Sequence, residues 1–157
     1  MNKLITFEGI DGSGKSTQIN LLKTGFDENN INNIIVREPG GNVVSEKIRE
    51  ILLDPQNFSL SHKTESLLFL SARSQLLNEK IIPALNSGKF VVCDRFTDST
   101  LAYQGFGRGL NMGELEGLNS FVLGEECTNG HTFLLDVDVK DSLKRRNKIE
   151  NDRKFHC

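Results

Sequence analysis

Short apolar segments alternate along the chain with longer stretches in which apolar residues recur at helical spacing. Segments with the composition of β-strands are residues 3–8, 33–38, 89–94 and 132–137. The helical pattern predicts helices over residues 16–23, 43–53, 63–86, 97–104, 112–123 and 139–147. Because strands alternate with helices, and segment 89–94 is apolar on both faces, the pattern predicts an α/β fold with a parallel sheet and helices on both of its faces.

Glycine and proline residues punctuate this pattern. Asp54-Pro55 ends the helix predicted over 43–53, and Ser87-Gly88 ends the helix predicted over 63–86. Pro83 is expected to bend or interrupt the last turns of that long helix. The glycines between residues 104 and 109 predict a loop there.

Length, charge and cysteine content narrow the class of protein. The 157 residues fit one domain spanning 1–157, and 19 Lys+Arg against 21 Asp+Glu give a net charge of -2. This balance argues against a wholly basic nucleic-acid binder, so we expect no nucleic-acid partner. No apolar run reaches the roughly 18–20 residues of a membrane span, and residues 1–8 meet an acid too soon for a signal peptide. With three scattered cysteines, the sequence is typical of a cytoplasmic protein without a membrane partner.

Residues 9–16 follow the pattern G-x-x-x-x-G-K-[ST] of a phosphate-binding P-loop. The motif follows a predicted strand and precedes a predicted helix, which is the arrangement that P-loops need. Glycines let successive backbone N–H groups face one anion, and the helix N-terminus adds positive potential. Lys15 is expected to reach the β- and γ-phosphates, and the Ser16 hydroxyl to bind Mg²⁺. A glycine turn with a solvated Lys15 is the alternative, but it leaves the joint presence of these residues unexplained.

A P-loop predicts ATP or GTP binding, whereas the acceptor has to be inferred from other residues. Asp94 and Arg95 follow the third predicted strand, at the sheet edge where α/β proteins bind ligands. An arginine there can bind a phosphate with two N–H groups, although a surface ion pair or a helix cap is an alternative role.

Several segments together resemble the thymidylate kinase family, which phosphorylates dTMP. The similarity covers nearly the whole chain and rests on residues 7–17, 37–41, 93–96 and 98–105, with Leu68, Phe69 and Arg73. It implies a three-layer P-loop NTPase fold, ATP as co-substrate, Mg²⁺ as cofactor and a homodimer. It also implies an ATP site made of Gly9, Ile10, Asp11, Gly12, Ser13, Gly14, Lys15, Ser16 and Thr17.

The resemblance implies specific roles at the dTMP site. Phe69 would stack on thymine, Arg73 would hydrogen-bond the base, and Tyr103 would crowd the sugar 2′ position. The other implied dTMP residues are Asp11 near the 3′-OH and the metal, Arg37 and Arg95 at the phosphate, Ser99 and Thr100 at the base edge, and Glu38, Pro39 and Gln104 along the pocket. Without the resemblance, Phe69 among leucines would be assigned to the core and Arg73 to a solvated helix face.

The reaction needs cations to bring two anions together, and the expected set is Lys15, Arg95, Mg²⁺ and a basic lid. Ser16 and Asp94 are the candidate metal ligands. Residues 144–157 resemble the family's lid, with Arg146 and Arg153 as candidate catalytic cations; a solvated charge run is the alternative. The family's sequence continues beyond the point where this one stops, so we expect its C-terminal part to be absent here.

Two rival functions stay open at this stage. One is another nucleoside monophosphate kinase or a deoxynucleoside kinase, which shares the P-loop and the need for arginines. The other is a truncated nucleotide-binding paralogue without turnover. The base pocket distinguishes the first rival, and transfer of phosphate distinguishes the second.

Overall fold

Four parallel strands form the sheet of the computed structural model, which describes residues 3–125, 127 and 130–145. Within this part of the chain the strands are β1 (Leu4–Glu8), β2 (Asn33–Arg37), β3 (Phe90–Asp94) and β4 (His131–Leu134), in the order β2-β3-β1-β4. The register places Val91 beside Leu4 and Asp94 beside Phe7. Because all pairings are parallel, the carboxyl ends of the strands meet at one edge, as the sequence predicts.

Helices occupy the connections between the strands. They are α1 (Lys15–Glu28), α2 (Val43–Leu53), α3 (His62–Leu76), α4 (Ile82–Asn86), α5 (Thr97–Thr100) and α6 (Met112–Leu123). A 3₁₀ turn spans Pro55–Asn57, π-helical segments span Leu77–Ile81 and Leu101–Gly107, and residues 139–145 are helical. Among the residues described, no helix combines the length and apolarity that crossing a membrane requires.

Local capping chemistry sets the start of three helices, whereas α1 starts without it. The side chains of Asn42, Ser61 and Asn111 each accept a hydrogen bond from a backbone N–H in the first turn of α2, α3 and α6. Helix α1 instead begins after Gly14, whose φ of 102° is left-handed, and no side chain caps it. The N-terminal N–H groups of α1 are therefore left for a ligand.

The sheet separates two apolar cores, one on each face. Helix α1 packs on one face around Phe7, Ile19, Phe26 and Val92. The other face packs against α3, the π-helical segment Leu77–Ile81, α4 and α6 around Leu4, Val36, Leu76, Leu77, Ile81, Val91 and Cys93. The three central residues of β3, Val91, Val92 and Cys93, alternate between the cores and are fully buried, which explains why this strand is apolar on both sides.

Some element boundaries differ from the sequence prediction. The helix expected over 63–86 is divided by the π-helical segment, and Pro83 lies in the first turn of α4, where a missing N–H costs nothing. The loop expected over 104–109 is wrong as far as Gly107, because Leu101–Gly107 is π-helical. The helix expected over 16–23 extends to Glu28, and the strand expected over 132–137 ends at Leu134.

Candidate active site

Two adjoining cavities lie along the carboxyl edge of the sheet. The P-loop cavity, of about 590 Å³, is formed by the loop between β1 and α1 together with the ends of β2 and β3. The aromatic cavity, of about 560 Å³, contains Phe69, Phe96 and Tyr103. Both cavities are lined by Asp11, Glu38, Arg49 and Arg95. The two spaces are therefore halves of one cleft that meet at charged side chains.

Six of the nine residues predicted to bind ATP line the P-loop cavity: Asp11, Gly12, Gly14, Lys15, Ser16 and Thr17. Gly9, Ile10 and Ser13 belong to the same loop, and the carbonyls of Gly9 and Ile10 accept hydrogen bonds from Lys15 Nζ at 2.9 and 3.1 Å. Burial, together with the charge of Arg95, lowers the pKa of the Lys15 ammonium. An incoming phosphate would give this ammonium a direct anionic partner.

Gly9 requires its glycine for steric reasons. Its φ is +139°, and a Cβ atom there would lie 2.6 Å from the Leu135 carbonyl oxygen. The P-loop backbone can therefore adopt this conformation only because its first glycine has no side chain.

Ser16 and Asp94 bring two oxygen donors together in the P-loop cavity. The Ser16 hydroxyl lies 3.4 Å from Asp94 Oδ2. Over the described residues, no group of three or more His, Cys, Asp or Glu side chains is placed to hold a metal ion. Hydroxyl and carboxylate oxygens are the ligands that Mg²⁺ prefers, with phosphate oxygens and water as the usual remainder. The pair thus fits a Mg²⁺ ion bound together with a nucleotide.

Arg95 lies where the two cavities meet. It follows β3 with a left-handed φ of 69°, which is unusual for a residue with a side chain. Its Nη2 is 2.5 Å from Asp11 Oδ1, its Nη1 donates to Ser99 Oγ at 3.1 Å, and its guanidinium carbon is 5.3 Å from the centre of the Tyr103 ring. Burial disfavours the charge, but Tyr103 and Asp11 outweigh burial and raise the pKa of Arg95. Arg95 is therefore a permanent cation at the junction.

Besides Arg95, two arginines approach the junction, from β2 and α2. Arg37 and Arg49 each donate from Nη1 to the carbonyl of Pro39, at 3.0 and 2.9 Å. The Glu46 carboxylate accepts hydrogen bonds from Arg37 Nη2 at both of its oxygens, and one from the backbone N–H of Gly41. Burial and the neighbouring Arg37 lower the pKa of Arg49. Two guanidinium groups on one carbonyl create a site that favours an anion.

Arg49 was not identified from the sequence, although a signal was present. It precedes Leu52 and Leu53 by three and four residues, so the three side chains share one face of α2. All three line the aromatic cavity. An arginine within an apolar helix face is the feature that could have singled it out.

The aromatic cavity collects ten of the eleven residues predicted for dTMP: Asp11, Glu38, Pro39, Phe69, Arg73, Arg95, Ser99, Thr100, Tyr103 and Gln104. Arg37 lines the P-loop cavity instead. Phe69 is half-buried and lines the cavity, so it is not a residue of either described core. Glu65 and Arg108, which the sequence did not single out, form one wall by an ion pair of 3.1 Å, and Gln104 Nε2 donates to Glu65 at 2.8 Å.

Arg73 is buried rather than solvated, so the alternative assignment to an exposed helix face is wrong. Its Nε donates to Glu38 Oε2 at 2.7 Å and its Nη1 to Asn119 Oδ1 at 2.5 Å. Its Nη2 donates to the Phe96 carbonyl and to Thr100 Oγ1, both at 3.0 Å. Four of its five N–H groups thus have described protein partners, and the fifth is on Nη1.

Arg145, in the predicted lid, and Ser142, just before it, contact the P-loop backbone. Arg145 Nη1 donates to the Gly12 carbonyl at 3.2 Å, and the Ser142 hydroxyl donates to the Asp11 carbonyl. Lys144 pairs with Asp141. Residues 146–157, which include the predicted catalytic cations Arg146 and Arg153, lie outside the described residues.

Known proteins resemble this chain in both sequence and structure. The family model described as thymidylate kinase matches residues 7–156. The thymidylate kinase of Pelobacter propionicus is 48% identical over 151 residues, which cover 96% of this chain and 68% of that protein. The thymidylate kinase of Thermoanaerobacter pseudethanolicus is 46% identical over 155 residues, which cover 96% of this chain and 73% of that protein.

Among solved structures, the crystal structure of thymidylate kinase from Ehrlichia chaffeensis matches with a TM-score of 0.77 at 38% sequence identity. The match covers 96% of this chain and 84% of that one. Together with the parallel sheet and its two helical layers, this likeness confirms the predicted three-layer P-loop NTPase fold. The sequence and structural matches agree with the geometry of the cleft, and the chain belongs to the thymidylate kinase family.

Proposed function

We propose that the protein transfers the γ-phosphoryl group of ATP to dTMP, giving ADP and dTDP. The observation that carries this proposal is the meeting of the P-loop cavity and the aromatic cavity at Arg95. One cavity has the chemistry for a nucleoside triphosphate, and the other has the size and lining for a nucleotide with a flat base. Family membership supports the same pair of substrates.

On the donor side, the ATP phosphates would lie along the P-loop, from residues 9 to 17, with Lys15 released from its carbonyl partners to bind them. Ser16 and Asp94 would hold Mg²⁺. When bound, this ion would neutralise part of the phosphate charge. These assignments rest on the uncapped N-terminus of α1 and on the pairing of Ser16 with Asp94.

On the acceptor side, the dTMP phosphate would lie at Arg95, with Arg37 and Arg49 as further cations. Phe69 would stack on thymine, and Arg73 would donate its remaining N–H to the base. Asp11 and Tyr103, which flank Arg95, would contact the sugar, and the pocket would be completed by Glu38, Pro39, Ser99, Thr100 and Gln104.

The chemistry needs positioning and charge neutralisation more than proton transfer. The attacking group is a phosphate oxygen of dTMP, which is largely ionised at neutral pH because the second phosphate pKa is about 6. That oxygen forms a bond to the γ-phosphorus of ATP as the bond from this phosphorus to the bridging oxygen of ADP breaks. Lys15 and Arg95 hold the two anions close together. Because the attacking oxygen is already ionised, the protein requires no general base.

Further proposals concern the chain as a whole. We take residues 1–157 as a single kinase domain whose segment 144–157 acts as the lid, with Arg146 and Arg153 as its catalytic cations. A homodimer is supported by exposed apolar side chains on α2, α3 and α6, among them Val43, Leu67 and Phe121. We also propose a cytoplasmic location, on the resemblance alone.

The test measures ADP release in a coupled assay with ATP and, in turn, dTMP, dUMP, dGMP, AMP and thymidine. We expect dTMP to be the preferred acceptor and dUMP to be weaker by about 10-fold to 200-fold, since one methyl group in an apolar pocket is worth that much. Preference for another acceptor would assign the protein to a different kinase class. Absence of transfer to every acceptor would refute the proposed activity.

A matched pair of lysine variants checks that the P-loop carries the activity. Lys15→Met removes the buried ammonium of the loop, whereas Lys23→Met removes an exposed ammonium on α1 that pairs with Asp27. Turnover should be lost in the first variant and kept in the second. Equal effects of the two changes would contradict the assignment of Lys15.

A further inference from the structure

Glu8 is a buried carboxylate outside the cavities described above. It is the last residue of β1, directly before the P-loop, and is only 3% exposed. Its Oε1 accepts hydrogen bonds from the backbone N–H groups of Phe96 and Ser99 at 2.7 and 3.2 Å. Its Oε2 accepts the Ser99 hydroxyl at 2.6 Å. Such a group is costly to bury, so three donors converging on it indicate a specific task.

The carboxylate fixes the direction in which the Ser99 hydroxyl points. A carboxylate can only accept hydrogen bonds, so the Ser99 O–H donates to Glu8. The lone pairs of Ser99 Oγ are then available to accept Arg95 Nη1 at 3.1 Å. A chain of hydrogen bonds therefore runs from Glu8 through Ser99 to Arg95, with one consistent polarity.

Glu8 also holds the backbone around Arg95. The left-handed φ of Arg95 costs free energy, and such residues persist only where their surroundings over-determine them. The N–H of Arg95 donates to the Phe7 carbonyl at 3.0 Å, and the next N–H, of Phe96, donates to Glu8. The end of β1 thus fixes the chain on both sides of the strained residue.

We propose that Glu8 and Ser99 are positioning residues that direct the Arg95 guanidinium to the acceptor phosphate. The proposal rests on the proposed function, because it deepens the role of Arg95 in phosphate binding. Without the Ser99 acceptor, Arg95 would keep Asp11 as its ion-pair partner, and the Asp11 side chain is 65% exposed. The guanidinium could then follow Asp11 toward solvent. Ser99 therefore acts on the phosphate through Arg95 and not on the edge of the base.

The experiment compares the wild type with Ser99→Ala, Ser99→Thr and Glu8→Gln. We expect Ser99→Ala to lower kcat/KM for dTMP by about 10-fold to 100-fold, which is the range for a hydrogen bond to a charged group. Ser99→Thr keeps a hydroxyl and should retain most of the activity. Glu8→Gln should lower kcat/KM at least as much as Ser99→Ala. The glutamine N–H₂ would donate to Ser99 Oγ, whereas Glu8 accepts from it. The KM for ATP should stay unchanged in all of them.

A second readout separates a contact with the phosphate from a contact with the base. The inhibition constant of thymidine, which has no phosphate, should be the same in Ser99→Ala and the wild type, while the affinity for dTMP falls. Glu8→Gln should add little to Ser99→Ala in the double variant, since both changes break the same chain. Ser71→Ala, which removes an exposed hydroxyl bound only to its own helix, is the control and should have no effect.

The outcomes discriminate clearly. Equal loss of thymidine and dTMP affinity in Ser99→Ala would assign Ser99 to the base and overturn the proposal. A lower melting temperature with unchanged kcat/KM would show a purely structural role and would overturn it as well. An active wild type with unaffected variants refutes the positioning role alone, whereas an inactive wild type refutes the proposed function itself.

Discussion

Replacing Arg73 by methionine should lower the free energy of unfolding much more than replacing an exposed arginine. The Arg73 side chain is 2% exposed, and that of its partner Glu38 is 6% exposed. Methionine keeps much of the apolar length of arginine but removes four hydrogen bonds. Glu38 would then be a buried carboxylate without its cation, and its Oε1 already lacks a hydrogen-bond partner among the described residues.

The expected magnitude follows from this burial. Removing one partner of a buried ion pair costs about 3–5 kcal/mol, against a total stability of about 5–15 kcal/mol for a typical domain. Burial already raises the pKa of Glu38 and Arg73 opposes it, so loss of Arg73 should raise this pKa further. The comparison is the pair of Arg108, whose side chain is 49% exposed, with Glu65, and breaking a pair whose cation is solvated costs about 0–1 kcal/mol.

Urea denaturation followed by circular dichroism measures the difference. With a slope of about 2 kcal/mol per molar urea, Arg73→Met should lower the midpoint by about 2 M, while Arg108→Met should lower it by less than about 0.5 M. The double variant Glu38→Gln with Arg73→Met removes both charges, so it should be about 1–3 kcal/mol more stable than Arg73→Met alone. Similar midpoints for Arg73→Met and Arg108→Met, or no recovery in the double variant, would refute this reasoning.

Two further variants test the acceptor side of the cleft and its loop. Tyr103→Ala should raise the ratio of kcat/KM for ribothymidine monophosphate to that for dTMP by about 10-fold, because it opens space beside Arg95; an unchanged ratio would contradict a role at the sugar. The hydrogen bond from the Gly41 N–H, and after it the contact with Arg37, lower the pKa of Glu46 in the folded protein. The Glu46 carboxylate therefore stabilises the fold above its ordinary pKa of about 4.5, and this stabilisation is lost as the pH falls through the lower folded pKa. Urea unfolding should therefore show a stability gap between wild type and Glu46→Gln that is largest near neutral pH and shrinks below about pH 4.5, and a constant gap down to pH 3 would contradict the pKa shift.

The elements that the sequence predicted well are those whose signals are local. Helix α2 spans Val43–Leu53 as expected, because Asn42 caps it and Asp54-Pro55 stops it. No local residue pattern marks the π-helical segment Leu77–Ile81. Its first and last residues are fully buried in the core, so the packing of the core determines where it lies. Gly105 suggested a loop but serves packing, as a Cβ there would collide with the side chain of Met112.

The same distinction applies to the site. The P-loop could be predicted because its chemistry is contiguous in sequence, and the family resemblance supplied most of the aromatic cavity. Glu65 and Arg108 were missed because they reach the cleft only through the packing of α3 and the segment after Leu101–Gly107. Arg49 had a signal, its position on an apolar face of α2, but the signal does not show that this face lines a cleft. Glu8 was noticed only as part of a motif, because its partners lie about ninety residues away.

The pairing of β1 with β3 has a consequence for how catalytic precision is lost. The P-loop, which we propose binds the donor, follows β1, and Arg95, which we propose binds the acceptor, follows β3, the neighbour of β1 in the sheet. The distance between the two reacting groups therefore depends on the hydrogen-bonded pairing of β1 with β3, and most side chains of these two strands are buried. Under gradual denaturation, phosphoryl transfer should vanish together with the slowest-exchanging amides of this strand pair, and not earlier with the fraying of peripheral helices.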